Sequence, residues 1–433
     1  MKTTLSTSNF LLPTMYSPAW VKDAVFYQIF PDRFCRSPKY NAVGKFVDWD
    51  SKPTRSNMFG GNLAGIEDKL EYIKGLGATA LYLCPIFKSN SNHRYHTVDY
   101  FEIDPVLGTL EDFDRLVKKV HKLGMRIILD GVFNHCSRGF FQFNSLMELG
   151  EDSPYRDWFH VHSWPIHAYS GKPNYECWWN FPALPKFNTS CPDVREYLFS
   201  VAEYWTKRGI DGWRLDVPNE IDDDSFWQEF RRRVKTINKD AYIVGEIWDA
   251  PERWLKGDQF DGVMNYVFRK AVMQYLFDEK PISTEEFCKR LCGAFPEGRG
   301  DMPMNLLGSH DTTRLMSQPC TSWERIKLAL TLLFFMPGAP CIYYGEELGM
   351  HGGKDPDNRR SVPWDKLSKM QEEPVYALVK ELTRMRQDNP VLRDGKMEIT
   401  CDGEGFTVVR TLGKKKMTLA VSLADKLQTF EIK

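Results

Sequence analysis

Short apolar runs alternate with amphipathic runs in eight successive units between residues 23 and 387, and this rhythm limits the fold more than any other feature. The apolar runs have the length of strands, and the amphipathic runs carry apolar residues at helical spacing. The run at 125–132 is almost continuously apolar, as a parallel strand covered on both faces requires. The prediction is an α/β fold, a (β/α)8 TIM barrel, whose least distinct strand is the sixth, at 261–268.

Two segments depart from this rhythm. Residues 136–190 are rich in Trp, Tyr, Phe, Pro and His, without a long helix, and a connection of this length in a compact protein is usually functional. From about residue 395 short alternating runs are separated by DGEG and GKKK, which favours a small antiparallel sheet of three or four strands. The predicted domains are the barrel at 1–135 and 191–392, an inserted lobe at 136–190 after the third strand, and a C-terminal β-domain at 393–433.

Charge and cysteine content restrict partners and location. The 433 residues contain 57 Lys and Arg against 58 Asp and Glu, which argues against nucleic acid or an anionic membrane as a partner. The ten cysteines form no dense framework, so we expect free thiols in a reducing compartment. Residues 1–15 are too short and interrupted for a signal peptide or membrane span. We therefore expect a cytoplasmic protein.

Polar side chains gather where the predicted strands end. Arg214 and Asp216 are two residues apart on one strand, so their side chains share a face. A guanidinium beside a carboxylate favours the charged form, which suits a nucleophile, although a structural ion pair gives the same pattern. The ends of parallel strands meet on one rim of a barrel. On that rim we also place Asp130, Asn134, His135, Glu246, His310 and Asp311.

Four motifs on these strands resemble the signature regions of the α-amylase family of glycoside hydrolases. They occur in the family's order: DGVFNH at 130–135, GWRLDVPNE at 212–220, GEIW at 245–248 and LLGSHD at 306–311. Two further runs, LPKFN at 184–188 and GGKDPDNRR at 352–360, resemble the branch that contains cyclomaltodextrinase, neopullulanase and maltogenic amylase. The resemblance covers residues 20–390 and implies the same barrel.

The resemblance implies a role for each acid. Asp216 would be the nucleophile, Glu246 the general acid and base, and Asp311 a carboxylate that holds sugar hydroxyls. These roles agree with retaining chemistry, in which a charged acid and a protonated acid face one glycosidic bond. We expect burial beside Trp248 to keep Glu246 protonated, and Arg214 to keep Asp216 charged.

The resemblance also implies a set of sugar-binding residues. His135 and His310 would bind hydroxyls of the cleaved sugar, while Asn219 and Glu220 would face the leaving group. Taken alone, such histidines are more often structural, a lone Tyr is more often packing, and an Asp-Arg pair is more often a surface ion pair. The full predicted set is His93, Tyr95, Asp130, Asn134, His135, Arg214, Asn219, Glu220, Trp248, His310, Asp355 and Arg359.

The expected activity is retaining hydrolysis of α-1,4 and some α-1,6 bonds in maltooligosaccharides, cyclodextrins or related α-glucans. One alternative is a transglycosylase or glucan-converting enzyme, in which a sugar captures the intermediate. A second is an inactive carbohydrate-binding member, which the presence of all three acids disfavours. The barrel begins within about 25 residues, so the branch's N-terminal β-domain is expected to be absent and the protein to be a monomer or weak oligomer. Loops at 35–44 and 59–63 are poor in acids, so we expect no cofactor and no tightly held calcium.

Overall fold

The structure is a computed structural model that describes residues 3–4, 17–296, 302–401, 405–422 and 429–432. Most of the N-terminal segment 1–15 and of the predicted DGEG turn lies outside these ranges. The strands are β1 Thr3–Thr4, β2 Phe26–Ile29, β3 Ala80–Leu83, β4 Phe87–Ser89, β5 Thr97–Ile103, β6 Arg126–Gly131, β7 Gly212–Leu215, β8 Tyr242–Gly245, β9 Gly262–Val263, β10 Met304–Leu306, β11 Ala339–Tyr343, β12 Lys396–Cys401, β13 Gly405–Leu412, β14 Lys415–Ser422 and β15 Thr429–Ile432.

The helices surround the barrel and build the inserted lobe. They are α1 Pro31–Phe34, α2 Leu63–Asp68, α3 Leu70–Gly75, α4 Leu110–Lys122, α5 Phe141–Leu149, α6 Pro192–Lys207, α7 Asp224–Ile237, α8 Tyr266–Leu276, α9 Thr284–Ala294, α10 Trp323–Phe335, α11 Leu367–Met370, α12 Pro374–Asp388 and α13 Pro390–Asp394. Side-chain caps fix several starts; at α4, for example, Thr109 and Asp112 form a capping box.

Eight parallel strands form one sheet in the order β10, β11, β2, β3, β6, β7, β8, β9. A parallel bridge between Met264 and Met304 joins its two edges and closes the barrel. The predicted barrel fold is confirmed, and its strand ends share one rim. The sixth strand was predicted too long, because the Asn265 side chain accepts a hydrogen bond from the Phe268 N–H and starts α8.

Three other features go beyond the sequence prediction. The amphipathic run after β2 forms two helices, α2 and α3, divided at Lys69, whose ψ of 5° is not helical. The inserted lobe contains the nine-residue helix α5, and an antiparallel bridge between His135 and Lys186 ties the lobe to the rim. The hairpin of β4 and β5, which was not predicted, follows barrel strand β3 and also rises above the rim.

The C-terminal sheet has the order β1, β12, β13, β14, β15 and is antiparallel, as predicted. One buried arginine of the sheet, Arg410 on β13, attaches it to the barrel by donating to Phe335 O at the end of α10 at 2.6 Å, and Arg386 on α12 donates to the neighbouring Phe334 O at 3.0 Å. These donors satisfy helix-end carbonyls that have no partner within the helix. No described helix is long and apolar enough to cross a membrane.

Candidate active site

Arg214 lies at the centre of a group of three carboxylates inside the barrel mouth. Its Nη1 atom lies 2.7 Å from Asp130 Oδ1 and 3.0 Å from Asp216 Oδ1, and its Nη2 atom lies 2.9 Å from Glu246 Oε2. The Arg214 side chain is fully buried, so its guanidinium, and not water, must compensate the charge of the acids around it. Three adjacent strands, β6, β7 and β8, therefore deliver their acids to a single guanidinium.

The acids Asp216 and Glu246 both have raised pKa values. Burial raises the pKa of Asp216 well above its usual range, Arg214 opposes that rise, and the charge of Glu246 adds to it. Burial likewise raises the pKa of Glu246, again with Arg214 opposing, as expected for an acid that stays protonated. Arg214 favours the charged form of Asp216, but one guanidinium serves three carboxylates, so the charged state of Asp216 stays a prediction. A charge on Glu246 disfavours a second charge on Asp216.

Asp130 connects the three acids around Arg214 to His310, which follows strand β10. Its Oδ2 atom accepts hydrogen bonds from the hydroxyls of Tyr82, at 2.7 Å, and Tyr95, at 2.8 Å. The Tyr95 hydroxyl also lies 2.6 Å from His310 Nε2, and the two rings stack with an interplanar angle of 9°. Tyr95 is therefore a bridge between Asp130 and His310.

Asp311 is held in its charged form at the rim. His310 Nε2 lies 3.0 Å from Asp311 Oδ2, and Arg359 Nη2 lies 3.1 Å from Asp311 Oδ1. Burial opposes the effect, but His310 and Arg359 hold the pKa of Asp311 well below its usual range. Although burial lowers it, Asp311 raises the pKa of His310 to about 10. A charged acid with free lone pairs beside two cations is suited to accept sugar hydroxyls.

The predicted pair of Asp355 and Arg359 belongs to the same network. Arg359 Nη1 lies 3.0 Å from Asp355 Oδ1, while the side chain of Arg359 is only 11% exposed. Because Arg359 also reaches Asp311, the pair is not an isolated surface ion pair. An unbroken chain of contacts therefore runs from Glu246 through Arg214, Asp130, Tyr95, His310, Asp311 and Arg359 to Asp355.

Two buried histidines, His93 and His135, are held neutral at the mouth. Burial lowers the pKa of His135 to about 3, and its Nε2 atom has no hydrogen-bond partner among the described residues. His135 Nδ1 lies 3.1 Å from Asn134 Nδ2, and its ring stacks on Trp178. Burial also lowers the pKa of His93 well below its usual range, and its Nδ1 atom accepts a hydrogen bond from the Tyr95 N–H. Both rings can exchange hydrogen bonds with hydroxyls without carrying charge.

The remaining predicted residues lie at the edge of the mouth. Lys186 Nζ lies 3.1 Å from Glu220 Oε2, and Asn219 beside it is exposed. Trp248 is 44% exposed, stacks on Tyr266 and donates through Nε1 to Glu246 Oε1 at 3.2 Å. Trp248 thus offers Glu246 a donor, in addition to the burial that the sequence predicted.

Several residues of the site were missed by sequence reasoning. Tyr82 could have been found, because it is a polar position in the otherwise apolar strand β3, and Lys186 lies in a motif that was recognised. Val217, in a left-handed conformation, and Asn358, fully buried next to Arg359, also lie in recognised motifs, but their residue types alone do not indicate these roles.

The loop that follows β2 satisfies its buried acid without a metal. Asp32 Oδ2 lies 2.6 Å from Arg33 Nε, and Asp32 Oδ1 accepts a hydrogen bond from the Gly60 N–H. Calcium prefers six to eight oxygen ligands, several of them carboxylates. Across the described ranges no three His, Cys, Asp or Glu side chains are grouped as metal ligands, and the expectation of no tightly held calcium stays a prediction.

The family model described as "Alpha amylase, catalytic domain" matches residues 28–395. This chain belongs to the α-amylase family. The match contains nearly the whole barrel, from within β2 onward, and the inserted lobe, so the resemblance carried by the four motifs is confirmed.

Individual relatives fall in the branch that the sequence indicated. The chain is 45% identical to a cyclomaltodextrinase of a Bacillus species over 87% of its own length and 68% of that protein. It is 46% identical to neopullulanase 2 of Thermoactinomyces vulgaris over 86% of its length and 63% of that protein. The chain thus spans about two thirds of the length of these curated relatives.

A solved structure agrees over nearly the full length of both chains. The cyclic α-maltosyl-(1→6)-maltose hydrolase of Arthrobacter globiformis, in complex with cyclic α-maltosyl-(1→6)-maltose, has a TM-score of 0.89 and 40% identity. The comparison covers 94% of this chain and 92% of that one.

Proposed function

We propose that this chain is a retaining glycosidase that cleaves α-1,4 and some α-1,6 glucosidic bonds in small linear or cyclic α-glucans. The observation that carries the proposal is the placement of Asp216 and Glu246 on two nitrogens of one buried guanidinium, Arg214. Retaining chemistry requires one ionised and one protonated carboxyl group beside the same glycosidic bond.

In the first step Asp216 attacks the anomeric carbon and the bond to the leaving oxygen breaks. Glu246 gives its proton to that oxygen, so the leaving sugar departs as an alcohol and the remaining sugar is esterified to Asp216. Arg214 lies between the two acids and accommodates the charge that moves from Asp216 to Glu246.

In the second step water gives a proton to Glu246 and attacks the same carbon, which frees Asp216 and restores the original configuration. Asp311 and the neutral His135 bind hydroxyls of the reacting sugar. Arg359 and Asp355 continue the line of polar side chains beside Asp311. These contacts strengthen as the ring flattens, which is where binding lowers the barrier.

The location and the assembly that we propose are those expected from the sequence: a cytoplasmic protein, monomeric or weakly associated. All ten cysteines are free and five are buried, which agrees with a reducing compartment.

The test is a product profile on maltotriose, β-cyclodextrin, pullulan and starch, combined with NMR of the first-formed sugar. We expect α-anomers and shorter products. A β-anomer would exclude the two-step route, and products longer than maltotriose at high substrate would show that transfer to sugar exceeds hydrolysis. Absence of turnover on all four would contradict the proposal.

A further inference from the structure

Large apolar side chains that are exposed concentrate in the inserted lobe. Five of the eight found in the described part of the chain lie between residues 136 and 190. Two of them, Trp179 at 71% exposed and Phe181 at 53% exposed, flank Trp178. Exposed aromatic groups of this size usually mark a surface that binds something.

The aromatic residues form a ladder that starts at the active site. His135 stacks on Trp178 with ring centroids 5.5 Å apart, and Trp178 stacks on Trp179 at 4.8 Å with an interplanar angle of 11°. Phe181 lies 6.2 Å from Trp178. The ladder therefore passes from a buried histidine in the mouth to a tryptophan whose outer face is open to solvent.

The backbone of this turn is strained in a way that places Trp179 outward. Trp179 has φ 49° and Asn180 has φ 60°, both in the left-handed region that residues with a Cβ atom adopt at a cost. Hydrogen bonds from Phe181 N to Trp178 O, and from Trp178 N to Leu184 O, hold the turn closed. Trp179 adopts this conformation while its side chain is 71% exposed, and backbone strain of this kind clusters at ligand-binding sites.

We propose that Trp179, with Phe181, is an outlying stacking subsite for an α-glucan chain whose other end lies at Asp216. This proposal rests on the proposed function and extends it, because it predicts that substrate length matters beyond the sugars in the mouth. A glucan is favoured over other occupants because the ladder is continuous with the sugar-binding residue His135, and flat aromatic faces pack well against the C–H faces of sugar rings.

The experiment compares kcat/KM on maltoheptaose with kcat/KM on maltotriose for the wild type, Trp179→Ala and Trp179→Phe. We expect Trp179→Ala to lower the ratio of the two values by about 3- to 10-fold, the size of one aromatic contact, and Trp179→Phe to restore most of it. The matched control is Phe141→Ala, which removes an exposed aromatic ring elsewhere on the lobe and leaves the ratio unchanged.

Three outcomes would overturn the subsite. No change in kcat/KM on either substrate would mean that Trp179 contacts no sugar, and an equal loss on both substrates would mean that Trp179 only supports the shape of the mouth. Dissociation of a wild-type dimer by Trp179→Ala in analytical ultracentrifugation would mean that the surface binds a second copy. Binding of maltoheptaose to Glu246→Gln, measured by calorimetry with and without Trp179→Ala, tests the subsite without turnover, so its failure is separate from failure of the proposed function.

Discussion

The backbone N–H of Val217 donates a hydrogen bond of 3.0 Å to Glu246 Oε2, although Val217 has the left-handed angles φ 35° and ψ 51°. A β-branched residue is rarely found in this region, and such strain is concentrated at functional sites. The conformation turns the amide that follows Asp216 towards the acid of the next strand. The backbone after the proposed nucleophile thus helps to position the proposed proton donor.

Glu246→Gln should abolish cleavage of unactivated oligosaccharides. The amide keeps the size of the side chain but supplies no proton to the leaving oxygen, so we expect kcat/KM on maltotriose to fall by about 10²- to 10⁴-fold. A 2,4-dinitrophenyl glycoside, whose leaving group needs no proton, should lose much less in its first step. The control Glu398→Gln changes an exposed acid on β12 and should leave both rates unchanged. Equal losses on both substrates would contradict the assignment of Glu246 as the acid.

The pH profile should report the ionisation of Glu246, the proposed proton donor. Burial raises the pKa of both acids, so the competent state with a protonated Glu246 persists above the usual range of carboxyl groups. Activity is lost on the alkaline side, as pH rises through the raised pKa of the pair. We expect this limb in kcat/KM on maltotriose, and we expect it to be absent or weakened with the dinitrophenyl glycoside. The same alkaline limb on both substrates would assign it to another group.

Asn358 is expected to position Asp311 without touching substrate. Its side chain is fully buried, and its Nδ2 atom donates to His310 O at 2.6 Å and to Thr312 O at 3.0 Å, on either side of Asp311. Asn358→Asp replaces this donor with an oxygen that repels both carbonyls. We expect kcat/KM to fall by about 10- to 100-fold, equivalent to one buried hydrogen bond lost at the site, with most of the loss in kcat.

A matched change separates positioning from general destabilisation. Asn389→Asp removes a similar donor, from Asn389 Nδ2 to Met385 O at 2.7 Å, in a half-buried position directly after α12. We expect it to lower the melting temperature while kcat is retained. If Asn358→Asp lowers only the melting temperature, Asn358 has a structural role alone.

The sequence was most informative where one local pattern determines the outcome. Apolar runs and glycine stops identified the barrel, and their polar ends identified Asp216, Glu246 and Asp311, because parallel strands end on one rim. The sequence was less informative where contacts between residues far apart along the chain determine the geometry of the site. The sharing of Arg214 among three acids depends on the register of β6, β7 and β8, and the carbonyls that Asn358 binds lie 46 and 48 residues away. The predicted domain boundaries and the role of each site residue stay predictions.

Calcium removal should leave the protein unchanged. The buried carboxylate of Asp32 is already satisfied by Arg33 and by the N–H groups of Phe59 and Gly60, so a calcium ion would have to displace protein donors. An ion bound only to the folded state would stabilise it, and its removal would lower the melting temperature. We therefore expect equal melting temperatures and equal kcat before and after EDTA, and substoichiometric calcium by trace-metal analysis of the untreated protein. One calcium per chain, together with a lower melting temperature after EDTA, would contradict this prediction.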